Sequence, residues 1–170
     1  MGSTSYQPAV AGLGILLLFA CAAILAPSSA HACNTIVNNG PTVTVREGAM
    51  APPRPLGGTI TDGTYVLSAT TLYLAPGVPP TPTSMPSDTL GTYSMVFEFK
   101  GNRILSVGTS NGKETRYVTT FTTSGTTIFE KDICPLPEES SSRSFTAYER
   151  ELRFYMPSKH GTLEFILTKR

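Results

Sequence analysis

Short segments rich in Thr, Val, Tyr, Phe and Ile, separated by turn-forming residues, limit what most of this chain can fold into. Such β-branched and aromatic residues suit a pleated surface. In residues 92–100, Tyr93, Met95, Phe97 and Phe99 alternate with smaller or polar side chains, which is the period of a strand. Asn111-Gly112 predicts a tight hairpin, because both residues tolerate positive φ. No segment beyond residue 32 has a helical period, so the sequence predicts an all-β fold.

The order of these segments predicts an antiparallel up-and-down meander. Ala75–Asp88, which is rich in Pro, and Glu138–Ser144, which is rich in Ser, are expected to be loops. Closing the meander into a small β-barrel removes its exposed edges. A two-sheet β-sandwich is the alternative, and the absence of Trp makes it the second choice. The predicted strands are Gly63–Leu74, Thr92–Lys100, Arg103–Val107, Lys113–Phe121, Thr126–Ile133, Phe145–Met156 and Gly161–Thr168.

The N-terminal residues have the features of an export leader. The first 45 residues contain no Lys, Arg, Asp or Glu, and an apolar run, Val10–Ala26, precedes Ala30-His31-Ala32. An apolar run followed by such an Ala-x-Ala site is typical of a cleaved signal peptide, which here would be residues 1–32. Two other interpretations stay open: lipid attachment at Cys21, and an uncleaved membrane anchor.

Composition divides the remaining chain into two parts. Cleavage after residue 32 leaves about 138 residues, enough for one domain with a modest core. The first part, residues 33–58, mixes Asn, Pro, Thr and Gly and is expected to be an N-terminal arm and linker. Val43 and Val45 alternate with threonines there, which is compatible with one short strand. Residues 59–170 are expected to form the barrel domain.

Two cysteines, Cys33 and Cys134, remain after removal of the leader. An even pair in an exported protein is most simply a disulfide. The competing interpretation has Cys33 lipidated and Cys134 free.

The charged residues give no sign of a polyanionic partner. The chain has 13 Lys and Arg against 12 Asp and Glu, and its formal charge is +1. This balance provides no basic surface for nucleic acid and no polybasic patch for anionic lipid. Membrane contact is therefore expected only through the leader or a lipid anchor.

The residues beyond the leader offer little for catalysis or metal binding. They contain one histidine, His160, in a predicted turn, and any Ser-His-Asp triad would have to use it. They contain no P-loop motif. Two carboxylate pairs, Glu130 with Asp132 and Glu149 with Glu151, are each expected to share a strand face and to point into water. We therefore expect no catalytic, cofactor-binding or metal site.

One set of apolar side chains is expected to line the barrel interior. An interior of this size is either filled by its own side chains or left open for one small apolar ligand, and both alternatives stay open. Tyr and Met would suit an open cavity, because they offer a polar tip and an adaptable surface. The candidate interior or ligand-lining residues are Tyr65, Leu67, Tyr93, Met95, Phe97, Phe99, Phe121, Phe154 and Phe165.

Four segments carry a resemblance to a known group. Gly57–Leu67 resembles the first strand of lipocalin-like domains in uncharacterised bacterial exported proteins and lipoproteins, and Phe121–Ile128, Asp132–Pro135 and Leu163–Lys169 are similar to that group in order and spacing. The resemblance covers roughly residues 33–170. It implies an eight-stranded lipocalin-like barrel, export, often with a lipid anchor, and pairing of the two cysteines. It implies no established activity.

Together these features predict an exported protein, either secreted or held in the periplasm or outer membrane. Its expected function is to bind a small apolar ligand or an envelope protein partner. The alternative is a structural or interaction protein of the cell envelope with a filled core. Enzymatic activity is not expected.

Overall fold

The computed structural model describes residues 33–48, 51–79, 91–135 and 139–170. These residues form strands and no helix, which confirms the all-β prediction. The expected leader, with Cys21, lies outside the described residues, as does most of the Pro-rich stretch after Pro79. The ten strands are β1 (Val43–Thr44), β2 (Arg46–Gly48), β3 (Gly63–Leu74), β4 (Thr92–Lys100), β5 (Arg103–Ser110), β6 (Lys113–Ser124), β7 (Thr127–Cys134), β8 (Ser140–Ala147), β9 (Glu151–Ser158) and β10 (Gly161–Lys169).

Strands β3 to β10 close into an eight-stranded antiparallel barrel. Each strand from β4 to β10 pairs with the next, β10 pairs with β3, and β3 pairs with β4. The barrel prediction is therefore confirmed, and the sandwich alternative is wrong. The β3–β4 pairing covers only Gly63–Val66 of β3. Beyond it, β1 pairs with β4 and β2 runs parallel to β3, so the arm extends the sheet where those two strands diverge.

Strand limits follow the sequence closely where turn residues are explicit. The predicted limits of β3 and β4 agree with the structure, and β5 and β6 each extend three residues beyond theirs. Asn111 and Gly112 join β5 to β6 with φ values of 48° and 81°, as expected for the predicted hairpin.

Two loop and strand assignments near the C-terminus are wrong. The predicted strand Phe145–Met156 is two strands, because β8 ends at Ala147 and β9 begins at Glu151. The Tyr148 N–H donates to the Glu151 carbonyl at 2.8 Å across this turn, which contains neither Gly nor Pro. Most of the predicted loop Glu138–Ser144 also belongs to β8, since its serines pair with β7. Closing the barrel outweighs the weak strand preference of these serines, because β7 would otherwise have an unpaired edge.

Aromatic and aliphatic side chains pack in the barrel interior. Tyr65 and Phe99 meet edge to face with ring centroids 5.3 Å apart, and Phe99 and Phe121 do so at 5.6 Å. Such edge-to-face contacts add to the stabilisation from apolar burial. Ile60, which precedes β3, packs against the same group. The buried members are Tyr65, Leu67, Phe97, Phe99, Ile104, Ile128, Phe145, Leu152, Phe154, Phe165 and Leu167.

The start of the arm is docked on the outer face of the barrel. Ile36 packs against a small outer cluster of valines from β3, β4 and β5. The side-chain amide of Asn34, which is 8% exposed, donates to the carbonyls of Ser106 and Tyr117, both at 2.9 Å. The Arg116 guanidinium donates to the Ile36 carbonyl at 2.6 Å. These buried polar contacts fix the arm against β5 and β6.

A disulfide joins the arm to the end of β7, as predicted. Cys33 and Cys134 have Cα atoms 5.5 Å apart and are separated by 101 residues in sequence. The bond lies next to the docked Asn34, so covalent and noncovalent contacts hold the same part of the arm.

A second polar cluster stabilises the outer face at β3, β9 and β10. Glu164 is only 1% exposed, and its carboxylate accepts hydrogen bonds from the Tyr73 hydroxyl at 2.8 Å and from Arg153 at 3.1 Å. Arg153 also donates to Glu151 at 2.6 Å. Burial, and then the adjacent Glu164 carboxylate, raise the pKa of Tyr73 to about 12. The neutral Tyr73 hydroxyl solvates the buried Glu164 carboxylate, and Arg153 supplies the positive charge that pairs with it.

Candidate functional site

A cavity of about 500 Å³ occupies the barrel interior toward the end at which β5 meets β6 and β9 meets β10. It exists because the inner face of β5 tapers in size from Ile104 through Ser106 to Gly108. Inward positions alternate along a strand, so these three residues face the same space. The cavity reaches solvent near Glu139 and Pro157, which are both exposed.

One wall of the cavity is apolar. Among the nine candidate interior residues, Met95, Phe97, Phe154 and Phe165 line it, and Met156 adds a second thioether. The other five belong to, or pack against, the same core cluster and do not line the cavity: Tyr65, Leu67, Tyr93, Phe99 and Phe121. The interior is thus filled in one part and open in another, which combines the two alternatives that the sequence left open.

The opposite wall is polar and was not predicted from the sequence. Glu130 and Asp132 share a strand face as expected, but that face is the interior, so the prediction that they point into water is wrong. Glu130 is 7% exposed, whereas the intervening Phe129 and Lys131 are exposed. Alternate residues of a strand share a face, so Ile128, Glu130 and Asp132 lie on the same side of β7. Ile128 is apolar and buried, and it is the sequence signal that could have placed both acids on the inner face.

Arg143 on β8 forms an ion pair with Glu130 at the cavity wall. Its Nη2 donates to Glu130 Oε1, and its guanidinium carbon lies 4.2 Å from the centre of the Phe154 ring. Its Nη1 lies 3.5 Å from the Met156 sulfur, and its Nε is buried without a hydrogen-bond partner. Sequence reasoning missed Arg143, because the residue lies within the serine run that was expected to be a loop.

Asp132 lies between this ion pair and the cavity mouth. The Thr119 hydroxyl donates to its carboxylate at 3.0 Å, and its own backbone N–H donates to the Glu139 carbonyl at 2.8 Å. The chain that leads into β8 is therefore fixed beside the polar wall.

The remaining candidate chemical groups are not brought together. Glu149 lies exposed in the β8–β9 turn, whereas Glu151 lies in β9 and accepts a hydrogen bond from Arg153. The expectation that they share a strand face is therefore wrong. His160 is exposed in the β9–β10 turn, as predicted. Within the described ranges, no group of three or more His, Cys, Asp or Glu side chains is placed to hold a metal ion. In those same ranges, no helix is long and apolar enough to cross a membrane.

Comparison with known proteins gives no relative. No family model, no curated protein and no solved structure matches this chain. The cavity and its residues are therefore the basis for a functional argument.

Proposed function

We propose that this protein is an exported barrel module that binds one small, mainly apolar molecule in the open part of its interior. The observation that carries the proposal is the solvent-connected cavity of about 500 Å³ inside an otherwise packed barrel. Ligand pockets typically measure about 300–1,000 Å³ and are lined mainly by apolar side chains with a few polar groups. An eight-stranded barrel is just wide enough to hold one small ligand.

Export is the second part of the proposal. Disulfides persist in oxidising compartments, so the Cys33–Cys134 bond supports a secreted, periplasmic or outer-membrane location. The apolar run Val10–Ala26 and the Ala-x-Ala site that follows it support the same location. We also propose membership of the lipocalin-like group of bacterial exported proteins, which the barrel and the cysteine pair support.

We propose binding without catalysis. Two of the cavity carboxylates already have partners: Glu130 is paired with Arg143, and Asp132 accepts a hydrogen bond from Thr119. A polar wall that is internally paired can orient a ligand through the donors and acceptors that remain unused.

Narrowing the cavity is expected to weaken ligand binding without unfolding the barrel. Ser106 lines the cavity on β5, and Ser106→Leu places an apolar side chain in the open space. Titration with the uncharged dye phenylnaphthylamine, which fluoresces in apolar surroundings, measures the effect. The unmodified protein is expected to bind one dye molecule per chain, and Ser106→Leu to bind it at least about tenfold more weakly, since the lost apolar contact is of the order of a buried side chain.

The matched control makes the same chemical change away from the cavity. Ser124 is exposed at the end of β6, and Ser124→Leu is expected to leave dye affinity unchanged. The proposal is wrong if the unmodified protein gives no fluorescence increase, or if Ser106→Leu and Ser124→Leu bind the dye equally well.

A further inference from the structure

The Arg143 guanidinium has more hydrogen-bond donors than acceptors around it. A guanidinium carries five N–H groups. Among the described residues, Glu130 supplies the one oxygen that accepts from it. The Met156 sulfur contacted by Nη1 is a weak acceptor, and Nε has no partner. The N–H groups of Arg143 that find no acceptor in the protein can donate to an acceptor on a ligand in the cavity.

These donors lie where the apolar and polar walls meet. Arg143 is stacked on Phe154, and Arg143, Phe154 and Met156 all line the cavity. Methionine side chains are flexible, so Met156 can move and allow a ligand oxygen to take the place of its sulfur beside Nη1. A ligand body in contact with Phe154 and Phe97 would place an attached oxygen within reach of Arg143.

The charge of the cavity wall argues against an anionic ligand. The described lining residues include three acids, Glu130, Asp132 and Glu139, and a single base, Arg143. The positive charge of Arg143 is already paired with Glu130, so a carboxylate would meet an excess of negative charge and lose its hydration. A cation beside the free N–H groups of Arg143 would be repelled by its positive charge. The acids near the mouth, Asp132 and Glu139, are more exposed than Glu130, so water and salt screen their attraction for a cation more strongly.

We infer that the ligand is an uncharged molecule with an apolar body and one accepting oxygen, such as a ketone or an ester, that takes a hydrogen bond from Arg143. The inference rests on the proposed binding function of the cavity. It narrows that function to one chemical class and assigns specificity to a residue on β8.

Four probes of nearly equal size and shape separate the possibilities. Acetophenone carries a carbonyl, cumene replaces its oxygen with a methyl group, benzoate adds a negative charge, and phenylethylammonium adds a positive charge. Binding is followed at pH 7 through the carbon-13 methyl signals of Met95 and Met156, which line the cavity. We expect acetophenone to bind at least about tenfold more tightly than either charged probe. We also expect its carbonyl carbon signal in the complex to lie downfield of its position in cyclohexane, because accepting a hydrogen bond moves this signal downfield.

A double variant tests the role of Arg143 itself. Arg143→Met together with Glu130→Gln removes both members of the ion pair and leaves no unpaired buried charge. Acetophenone is expected to lose about tenfold in affinity, the usual effect of losing one hydrogen bond to a charged donor, while cumene affinity stays unchanged. Arg103→Met, at the exposed start of β5, is the control and is expected to alter neither affinity.

The outcomes distinguish this inference from the proposed function. If none of the four probes moves the Met95 or Met156 signals, the cavity does not bind such molecules and both proposals fail. If benzoate or phenylethylammonium binds more tightly than acetophenone, or the double variant weakens cumene and acetophenone equally, the cavity binds ligands but the inference about Arg143 is wrong. The carbonyl shift is measured on the unmodified protein, so a double variant that fails to fold does not remove the test. A carbonyl signal in the complex at its cyclohexane position also overturns the inference.

Discussion

Replacing Cys33 and Cys134 together with alanine is expected to lower the free energy of unfolding by about 4 kcal/mol. The two cysteines are 101 residues apart, and a crosslink of this span restricts the unfolded chain far more than the folded one. In the folded protein, Asn34 and Ile36 still hold the arm against β5 and β6. Urea unfolding of the oxidised protein and of the double variant measures the difference.

A neighbouring arm residue provides the control. Thr35 is exposed between Asn34 and Ile36, and Thr35→Ala is expected to change the free energy of unfolding by less than about 0.5 kcal/mol. Equal urea midpoints for the double cysteine variant and the unmodified protein would contradict the expected stabilisation. Alkylation of the Cys33 and Cys134 thiols in the unreduced protein would show that the bond itself does not form.

Phe99→Ala is expected to cost about 4 kcal/mol of stability, because it leaves a cavity in the filled part of the interior. Phe99 is 2% exposed, and its ring contacts Tyr65, Phe97 and Phe121 at centroid distances of 5.3, 6.3 and 5.6 Å. Phe99 does not line the cavity, so its truncation leaves a new space in the packed core and does not merely enlarge the existing one. Urea or thermal unfolding of the variant measures this cost.

Phe97→Ala is the matched comparison on the same face of β4. Phe97 is 8% exposed and lines the cavity, so its truncation enlarges a space that water already reaches. We expect a cost of about 3 kcal/mol, smaller than that of Phe99→Ala. Equal or reversed costs would show that the boundary between the filled and open parts lies elsewhere. An unchanged midpoint for Phe97→Ala would show that the inner face of β4 is wrongly assigned.

Explicit turn residues made much of the barrel predictable from sequence. Gly63 opens β3 with φ of 141°, and Asn111-Gly112 supplies the two positive φ values of a tight hairpin. Such backbone requirements are local, so they can be recognised without knowledge of the rest of the fold. The Glu149-Arg150 turn carries no such signal, and for that reason β8 and β9 were joined into one predicted strand.

The polar wall was missed because its residues break the usual relation between polarity and exposure, although alternation from Ile128 places Glu130 and Asp132 on the inner face of β7. On β7, Phe129 is 48% exposed while the neighbouring Glu130 is buried. Burial of Glu130 depends on Arg143 from β8, and a pairing across two strands cannot be read from the local pattern of either one. The same applies to Asn34, whose amide is satisfied by carbonyls from β5 and β6 that are distant in sequence.

The central claim is that the barrel is filled in one part and open in another. A crystal structure of the protein under xenon pressure tests this most directly, because xenon enters apolar cavities large enough to hold it. The account predicts xenon bound against Phe97, Phe154 and Phe165, and none between Tyr65, Phe99 and Phe121. Continuous side-chain density across the predicted cavity, with Met95 and Met156 filling it and no bound xenon, would contradict the account.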